Sequence, residues 1–493
     1  MNKKRIKIHE QLSSLGSKLS GIKISDLSPS EGDIPKNIKT DLIHFDYSKQ
    51  RVNHETLDFL LDIPDQLEIR GSLDDLFEGN FKNPSESRNV SHTIYRSDSA
   101  IENFEVIFSE RKKIKQFLKQ IKEDKCIKNI ISISIGGSRL GAELLQEFHS
   151  NTDSFKVYFC SSYDLIELSD ALKSCSQEDT IVFAVSKSFE TSEILKNLDY
   201  IKSWFSEIPN IDFRDHLYGV SSNMLAMTDY GIKKKNQFEL LDSLGGRLSL
   251  WSSVSLPSFV NSDFENYQSL LEGAYLADHH TQSSSWRKNI PVMMALLSIF
   301  NSSLKINNHA IFTYNFRLRS LAKYIAQLSM ESNGKSVNFN NEESPFHTSP
   351  LIWGGYGIEA QHSTFQWLMQ GKTETSCDFI GLNDGSNNSN DSWEMLLAQV
   401  IAMSHGKDDS KNPYKSIRGN NPCSIIQLNS LTFKSLGFLL ALYEHKVFVE
   451  SLILGVDPYD QWGVQLGKRL AVTSSQNKNF LTNFFEDDFL SKS

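Results

Sequence analysis

Cysteine is scarce in this sequence. Its five residues, Cys126, Cys160, Cys175, Cys377 and Cys423, are scattered and odd in number. They show neither CxxC spacing nor a companion histidine pattern, which argues against a disulfide framework and gives no sign of a zinc site. Such usage fits a reduced cytoplasm. Long apolar runs are missing too: residues 291–300 are too few to cross a bilayer, and the stretch 436–456 is interrupted by Glu444, His445 and Lys446. The first seven residues are basic but lead into polar sequence, so they do not read as a secretory signal. Positive charge is not in excess either. Lys and Arg number 51 against 60 Asp and Glu, a formal net charge of -9 mixed along the chain. That balance draws the protein to neither nucleic acid nor anionic lipid. An anionic ligand must be held by local groups.

What is present is enough apolar material for a large core: 493 residues, 39% hydrophobic and 11% aromatic, a length that suggests two to three domains. Two stretches read as a strand running into a helix. Residues 129–135 are isoleucine-rich, followed by Gly136-Gly137-Ser138 and a helical pattern of Leu140, Leu144, Leu145 and Phe148. Residues 180–185 are followed by a polar turn, 186–191, and a helix through Ile194, Leu198, Ile201 and Trp204. Residues 155–160 read as another buried strand. The pattern predicts a doubly wound α/β fold, with ligands beyond the carboxyl ends of the strands, where one pocket can use both turns. Later, residues 318–330 have helical spacing that stops at Ser332-Asn333-Gly334, leaving Glu331 at the helix end. The final third predicts helices around 361–370, 431–454 and 463–470, and loops at 334–345 and 384–392. No internal repeat is present.

Several residues carry chemistry in this pattern. The turn 186–191 opens a helix with three hydroxyls, and free N–H groups at a helix start make a phosphate cradle. It equally fits a serine cap on a solvated first turn. Gly136-Gly137-Ser138 allows close approach of a ligand to the backbone but matches neither GxGxxG nor GxxxxGK[ST]; a tight strand-to-helix turn explains it as well. Glu331, at the negative end of a helix, suits a general base, although position alone favours a surface glutamate. His362, Arg247 after Gly245-Gly246, and Lys468 each have a plain structural explanation when taken singly.

Taken together and in order, these residues resemble the phosphoglucose isomerase family. Residues 133–140 (ISIGGSRL) resemble its IGGSxLG loop, and 186–193 (SKSFETSE) its SKTFTTxE loop. Residues 242–252 (DSLGGRLSLWS) are similar to DxVGGRxSxWS. MESNGK at 330–335, Gln361-His362 with Phe365-Gln366, YEHKVF at 443–448 and DQWGVQLGK at 460–468 repeat further family motifs, and 83–96 follow NxSExRxVxHxxxR. Several motifs in one order make coincidence remote.

The resemblance implies two sugar isomerase (SIS) domains, each a mainly parallel sheet flanked by helices. An N-terminal helical segment would span 1–110, the first SIS domain 111–265, the second 266–470 and a tail 471–493. It implies interconversion of glucose 6-phosphate and fructose 6-phosphate without metal or organic cofactor, by a cytoplasmic homodimer with shared sites. Ser186, Lys187 through its backbone, Ser188 and Thr191 would hold phosphate, and Gly137 and Ser138 would line the sugar. His362, from the partner subunit, and Lys468 would open and close the ring. Glu331 would move the proton, Arg247 would stabilise the enediolate, and Gln327 and Gln461 would hold the open chain. Departures from the family pattern are Arg139, Glu190, Ile358-Glu359-Ala360, RGNNPC at 418–423 and Gly355-Tyr356. A sugar-phosphate sensor needs the phosphate loop but neither base nor ring-opening pair, so these residues favour the enzyme. Discrimination against mannose 6-phosphate depends on pocket shape that sequence leaves open.

Overall fold

The computed structural model describes residues 2–27, 36–97, 105–149 and 154–476. Two short strands, Asn37–Lys39 (β1) and Ile43–Lys49 (β2), precede a five-stranded sheet. That sheet contains Asn129–Ser134 (β3), Lys156–Cys160 (β4), Thr180–Val185 (β5), Leu217–Ser221 (β6) and Gln237–Glu239 (β7). β3 and β5 are buried at every position, as expected for near-continuous β-branched runs covered by helices on both faces. The order is β4-β3-β5-β6-β7, all parallel, so the chain reverses its winding direction between β3 and β5. Ligand crevices form outside the carboxyl ends at such a switch point. Ser134 pairs with Val185, so the turns at 136–138 and 186–191 leave the sheet at the same level.

A second sheet has the order β1-β2-β11-β10-β8-β9, built around Asn308–Thr313 (β8), Leu351–Tyr356 (β9), Ser376–Leu382 (β10) and Cys423–Leu428 (β11). β8 to β11 pair in parallel, whereas β2 runs antiparallel to β11. The segment 1–110, expected to be helical, therefore also supplies a hairpin to this sheet. The reason is local: Ile43, Phe45 and Tyr47 are buried in alternation, a period that suits a strand.

The helix Phe433–Leu454 is buried at almost every residue. It crosses the helix Phe264–Ser283 so closely that a Cβ on Gly273 would lie 1.9 Å from Lys434 O, and one on Gly437 2.0 Å from Leu270 O. The charges that interrupt its apolar run are paired inside the protein. Arg96 binds Asp278 (2.9 Å) and Glu444 (2.6 Å), His445 meets Asp278 (2.6 Å), and Lys446 meets Glu450 (2.6 Å). Among the described residues no helix is long and apolar enough to cross a membrane.

Two expectations need correction. The helix expected over 361–370 is two short helices, Gly357–Gln361 and Phe365–Gln370, with His362 capping the first. The Asn/Ser-rich run 384–392 is loop only at its start. Asp384 accepts from Ser386 N (3.0 Å) and Ser389 Oγ (2.7 Å), and this turn launches the helix Asn387–His405.

Candidate active site

The site grows from the turn after β3. Gly137, first residue of the helix Gly137–Phe148, lies against the backbone of Gly246 and Arg247. A Cβ at Gly137 would stand 2.4 Å from Gly246 C and 2.5 Å from Arg247 N, so only glycine permits this contact. Arg247 belongs to a short 3-10 helix, Gly246–Trp251, whose far end is pinned in the core by Trp251 Nε1 donating to Glu444 Oε1 at 2.8 Å. The guanidinium is thus delivered from a turn held at both ends.

Arg247 is 4% exposed. Its Nε donates to Ser332 Oγ (3.0 Å), and Nη2 donates to the carbonyls of Glu331 (3.1 Å) and Asp460 (2.6 Å). Nη1 lies 3.3 Å from Glu331 Oε1. Burial pulls the Arg247 pKa down, opposed by Glu331 and Asp460; a guanidinium stays charged regardless. Glu331 sits in the last turn of the helix Leu321–Asn333, and one turn earlier Gln327 Nε2 donates to Glu331 Oε2 at 2.8 Å. Gln327 in turn reaches the first loop, since a Cβ on Gly136 would be 3.5 Å from its Nε2. Both carboxylate oxygens are therefore oriented, yet the side chain remains 23% exposed. A fixed carboxylate beside a fixed cation can move a proton while charge develops nearby.

The loop after β5 leads into the helix Ser192–Phe205. Thr191 occupies the cap position without using its side chain as a cap; its Oγ1 lies 3.2 Å from Ser186 Oγ. Phe189 adopts φ 55° and drives its ring into the core beneath the sheet, which curls the loop. Ser186 Oγ and Ser188 Oγ accept from the N–H groups of Phe189 (3.2 Å) and Glu190 (3.3 Å). The Lys187 carbonyl accepts from Ser221 Oγ (2.7 Å) and Ser222 Oγ (3.0 Å), tying the loop to the end of β6. The Lys187 ammonium stands 3.8 Å from Asp242, and burial and then Arg88 lower its pKa. Arg139 pairs with Glu167 (2.8 Å) and Glu143 (3.2 Å), which offsets a cation in the first turn of a helix.

Gln461 borders two clefts. One, of about 670 Å³, is also lined by Glu331, Lys335, Asp460 and Trp462; the other, of about 60 Å³, by Lys187, Asp242, Gly246 and Arg247. The expected residues Gly137, Arg247, Gln327 and Glu331 are thus brought together, with Ser138 next in the glycine turn. Ser186, Lys187, Ser188 and Thr191 gather in the neighbouring loop. His362 and Lys468 are not. Both are exposed, and among the described residues neither side chain has a hydrogen bond or ion pair to this cluster. Sequence reasoning missed Lys335 and Asp460, which pair at 3.0 Å beneath Glu331. Their signal was the lysine that ends the MESNGK stretch.

Fold and cluster define a class: a two-sheet α/β protein whose switch-point loops meet a carboxylate and a buried guanidinium. The sequence matches the family description "Phosphoglucose isomerase" over residues 46–486. It is 34% identical over 470 residues to the glucose-6-phosphate isomerase of Christiangramia forsetii, covering 87% of this chain and 86% of that protein. It is 36% identical over 482 residues to that of Buchnera aphidicola subsp. Cinara cedri, covering 90% and 87%. The crystal structure of a glucose-6-phosphate isomerase from Chlamydia trachomatis is similar with a TM-score of 0.87 at 28% identity, covering 97% of this chain and 96% of that one. The chain belongs to the phosphoglucose isomerase family.

Proposed function

We propose that this protein interconverts glucose 6-phosphate and fructose 6-phosphate by proton transfer through an enediol. The observation that carries the reading is the Glu331 carboxylate, held by Gln327 at 2.8 Å and by Arg247 at 3.3 Å, the arginine sharing a small cleft with Lys187 of the hydroxyl-lined loop. With the sugar open, Glu331 takes the C2 proton and the electron pair moves onto the C1 oxygen, where Arg247 offsets the charge. The carboxyl then returns the proton to C1, while the C2 hydroxyl passes its proton to the C1 oxygen and becomes the carbonyl.

Ser186, Ser188, Thr191 and the Lys187 backbone hold the phosphate, with the helix start favouring the anion. Gly137 and Ser138 line the sugar, and Gln327 and Gln461 hold the open chain. Ring opening falls to Lys468 and to His362 of a second subunit. The exposure of His362, away from the cluster of its own chain, supports a homodimer with shared sites. A cytoplasmic setting is supported by five free cysteines, three of them buried. The chain is read as two SIS units around the two sheets, 111–265 and 266–470, the second borrowing β1 and β2.

Fructose 6-phosphate added to purified protein, with glucose 6-phosphate read through a coupled dehydrogenase, tests the activity. Binding without product would mark a sensor instead, and light scattering of fully active protein as a monomer would remove the shared site. Assaying mannose 6-phosphate decides the C2 specificity.

A further inference from the structure

Lys335 stands two residues beyond the helix that carries Glu331, and its ammonium folds back under the last turn. Nζ lies 2.8 Å from Ser332 O and 3.1 Å from Glu331 O. On its other side are Asp457 O at 3.0 Å, Asp460 O at 3.3 Å and Asp460 Oδ1 at 3.0 Å. The ammonium thus donates to four carbonyls and pairs with one carboxylate oxygen on two segments. One segment ends the helix of the base; the other leads into Gln461. Carbonyls in a last helical turn have no donor within the helix, so a cation placed there satisfies them and complements the dipole. Arg247 Nη2 spans the same two segments, touching Glu331 O and Asp460 O. Lys335 is 18% exposed, and burial outweighs Asp460 in lowering its pKa.

We infer that Lys335 is a positioning residue for the isomerisation: by binding carbonyls of both segments at once, it fixes the Glu331 carboxylate relative to Arg247 and Gln461. The inference rests on the reading of Glu331 as the base. An ammonium is a compact point charge whose three donors can be shared among oxygens gathered around one spot, whereas a guanidinium spreads its donors over a planar fork. Without it, the hydrogen bonds that link the helix end to the 457–461 turn, among the described residues, are those through Arg247. A displacement of about 1 Å in the reacting geometry costs about 10²-fold in rate.

The test compares Lys335→Met, Lys335→Arg and Lys335→Ala with Glu331→Gln in the fructose 6-phosphate assay, each variant checked for folding by thermal melting. Lys335→Met keeps the aliphatic stem. It is expected to lose about 10²-fold in kcat with KM within about threefold of the parent, and Lys335→Arg to recover little. Lys335→Ala is expected to regain kcat on addition of ethylammonium, which enters through the cleft of about 670 Å³ that Lys335 lines, and not with sodium chloride of equal ionic strength. A folded Lys335→Met with kcat within about threefold of the parent overturns the inference. So does a folded Lys335→Ala that ethylammonium leaves unchanged. If Lys335→Ala fails to fold, the kcat and KM of Lys335→Met decide alone. Near-normal turnover by Glu331→Gln, by contrast, removes the base and with it the reading on which the inference rests.

Discussion

Gly137→Ala tests whether the two glycine turns set the position of Arg247. The added Cβ would stand 2.4 Å from Gly246 C, 2.5 Å from Arg247 N and 2.6 Å from Gly246 O, all backbone atoms. Ordinary contact begins at 3.4 Å, so the turns must separate by about 1 Å. Nothing flexible absorbs the change, because Trp251 and Glu444 anchor the far end of the Arg247 segment in the core. Such a displacement in a reacting constellation costs about 10²-fold. Gly71→Ala is the matched control. Nothing lies within 4 Å of a Cβ there, and the site is inside the helix Ile69–Phe77, where alanine stabilises by about 0.5–1 kcal/mol. Both variants go through the coupled fructose 6-phosphate assay and a urea titration. The expected result is a Gly137→Ala protein that stays folded but turns over about 10²-fold more slowly, with Gly71→Ala like the parent. Folded Gly137→Ala with parental turnover would refute the reasoning, since the turns would then be free to part without consequence for Arg247.

Glu331→Gln should lower kcat by at least ~10²-fold while sugar phosphate still protects the protein in thermal melts, because the amide keeps the shape but not the basicity. Arg96→Met strands Asp278 and Glu444 inside the core, and urea titration should show a loss of about 3–5 kcal/mol. Burial raises Glu110 to about 7, although the Ser253 amide at 2.8 Å and the Ser253 hydroxyl both bind its carboxylate. The native state therefore holds a proton that the unfolded chain gives up near 4.5. This group's contribution is complete below pH 4.5 and disappears as pH rises toward 7, up to about 3 kcal/mol. Glu110→Gln should flatten the decline seen by urea titration between pH 5 and 8; a profile identical to the parent's would contradict it.

The first sheet was legible in part, at β3, β4 and β5: β3 is rich in isoleucine, β5 is apolar after Thr180, and they end in a glycine turn and a hydroxyl turn, whereas β6 and β7 went unread. The second was not. Its strands carry His309, Asp378 and Ser424, and β9 contains Gly354 and Gly355, so no apolar run announces them. Those polar groups meet partners distant in sequence: Asp378 accepts from Tyr443 at 2.9 Å and faces His309 at 3.2 Å. β2 went unread for a similar reason, since its alternation acquires meaning only against β11. At the site, the order of motifs brought Glu331, Arg247 and the two loops to attention, whereas spacing alone left each of them with a plainer explanation. Lys335 resembles any lysine beyond a helix cap until the 457–460 carbonyls arrive from across the fold.

This division has a physical basis in how Arg247 is used. Here the structural load falls on Nε and Nη2, which hold Ser332 and the carbonyls of Glu331 and Asp460, while Nη1 faces the Glu331 carboxylate. The guanidinium is rigid, so fixing two of its nitrogens fixes the third beside the Glu331 carboxylate. Its burial limits screening by water of the charge that the proposed mechanism directs at the reacting oxygens. In the proposed mechanism a chain with net charge -9 still meets an anionic enediolate with a fixed cation, because the charge comes from one preorganised side chain. In the proposed mechanism a glycine contact, an indole hydrogen bond and a half-buried ammonium bear on one chemical step, because each acts on the position of Arg247 or Glu331.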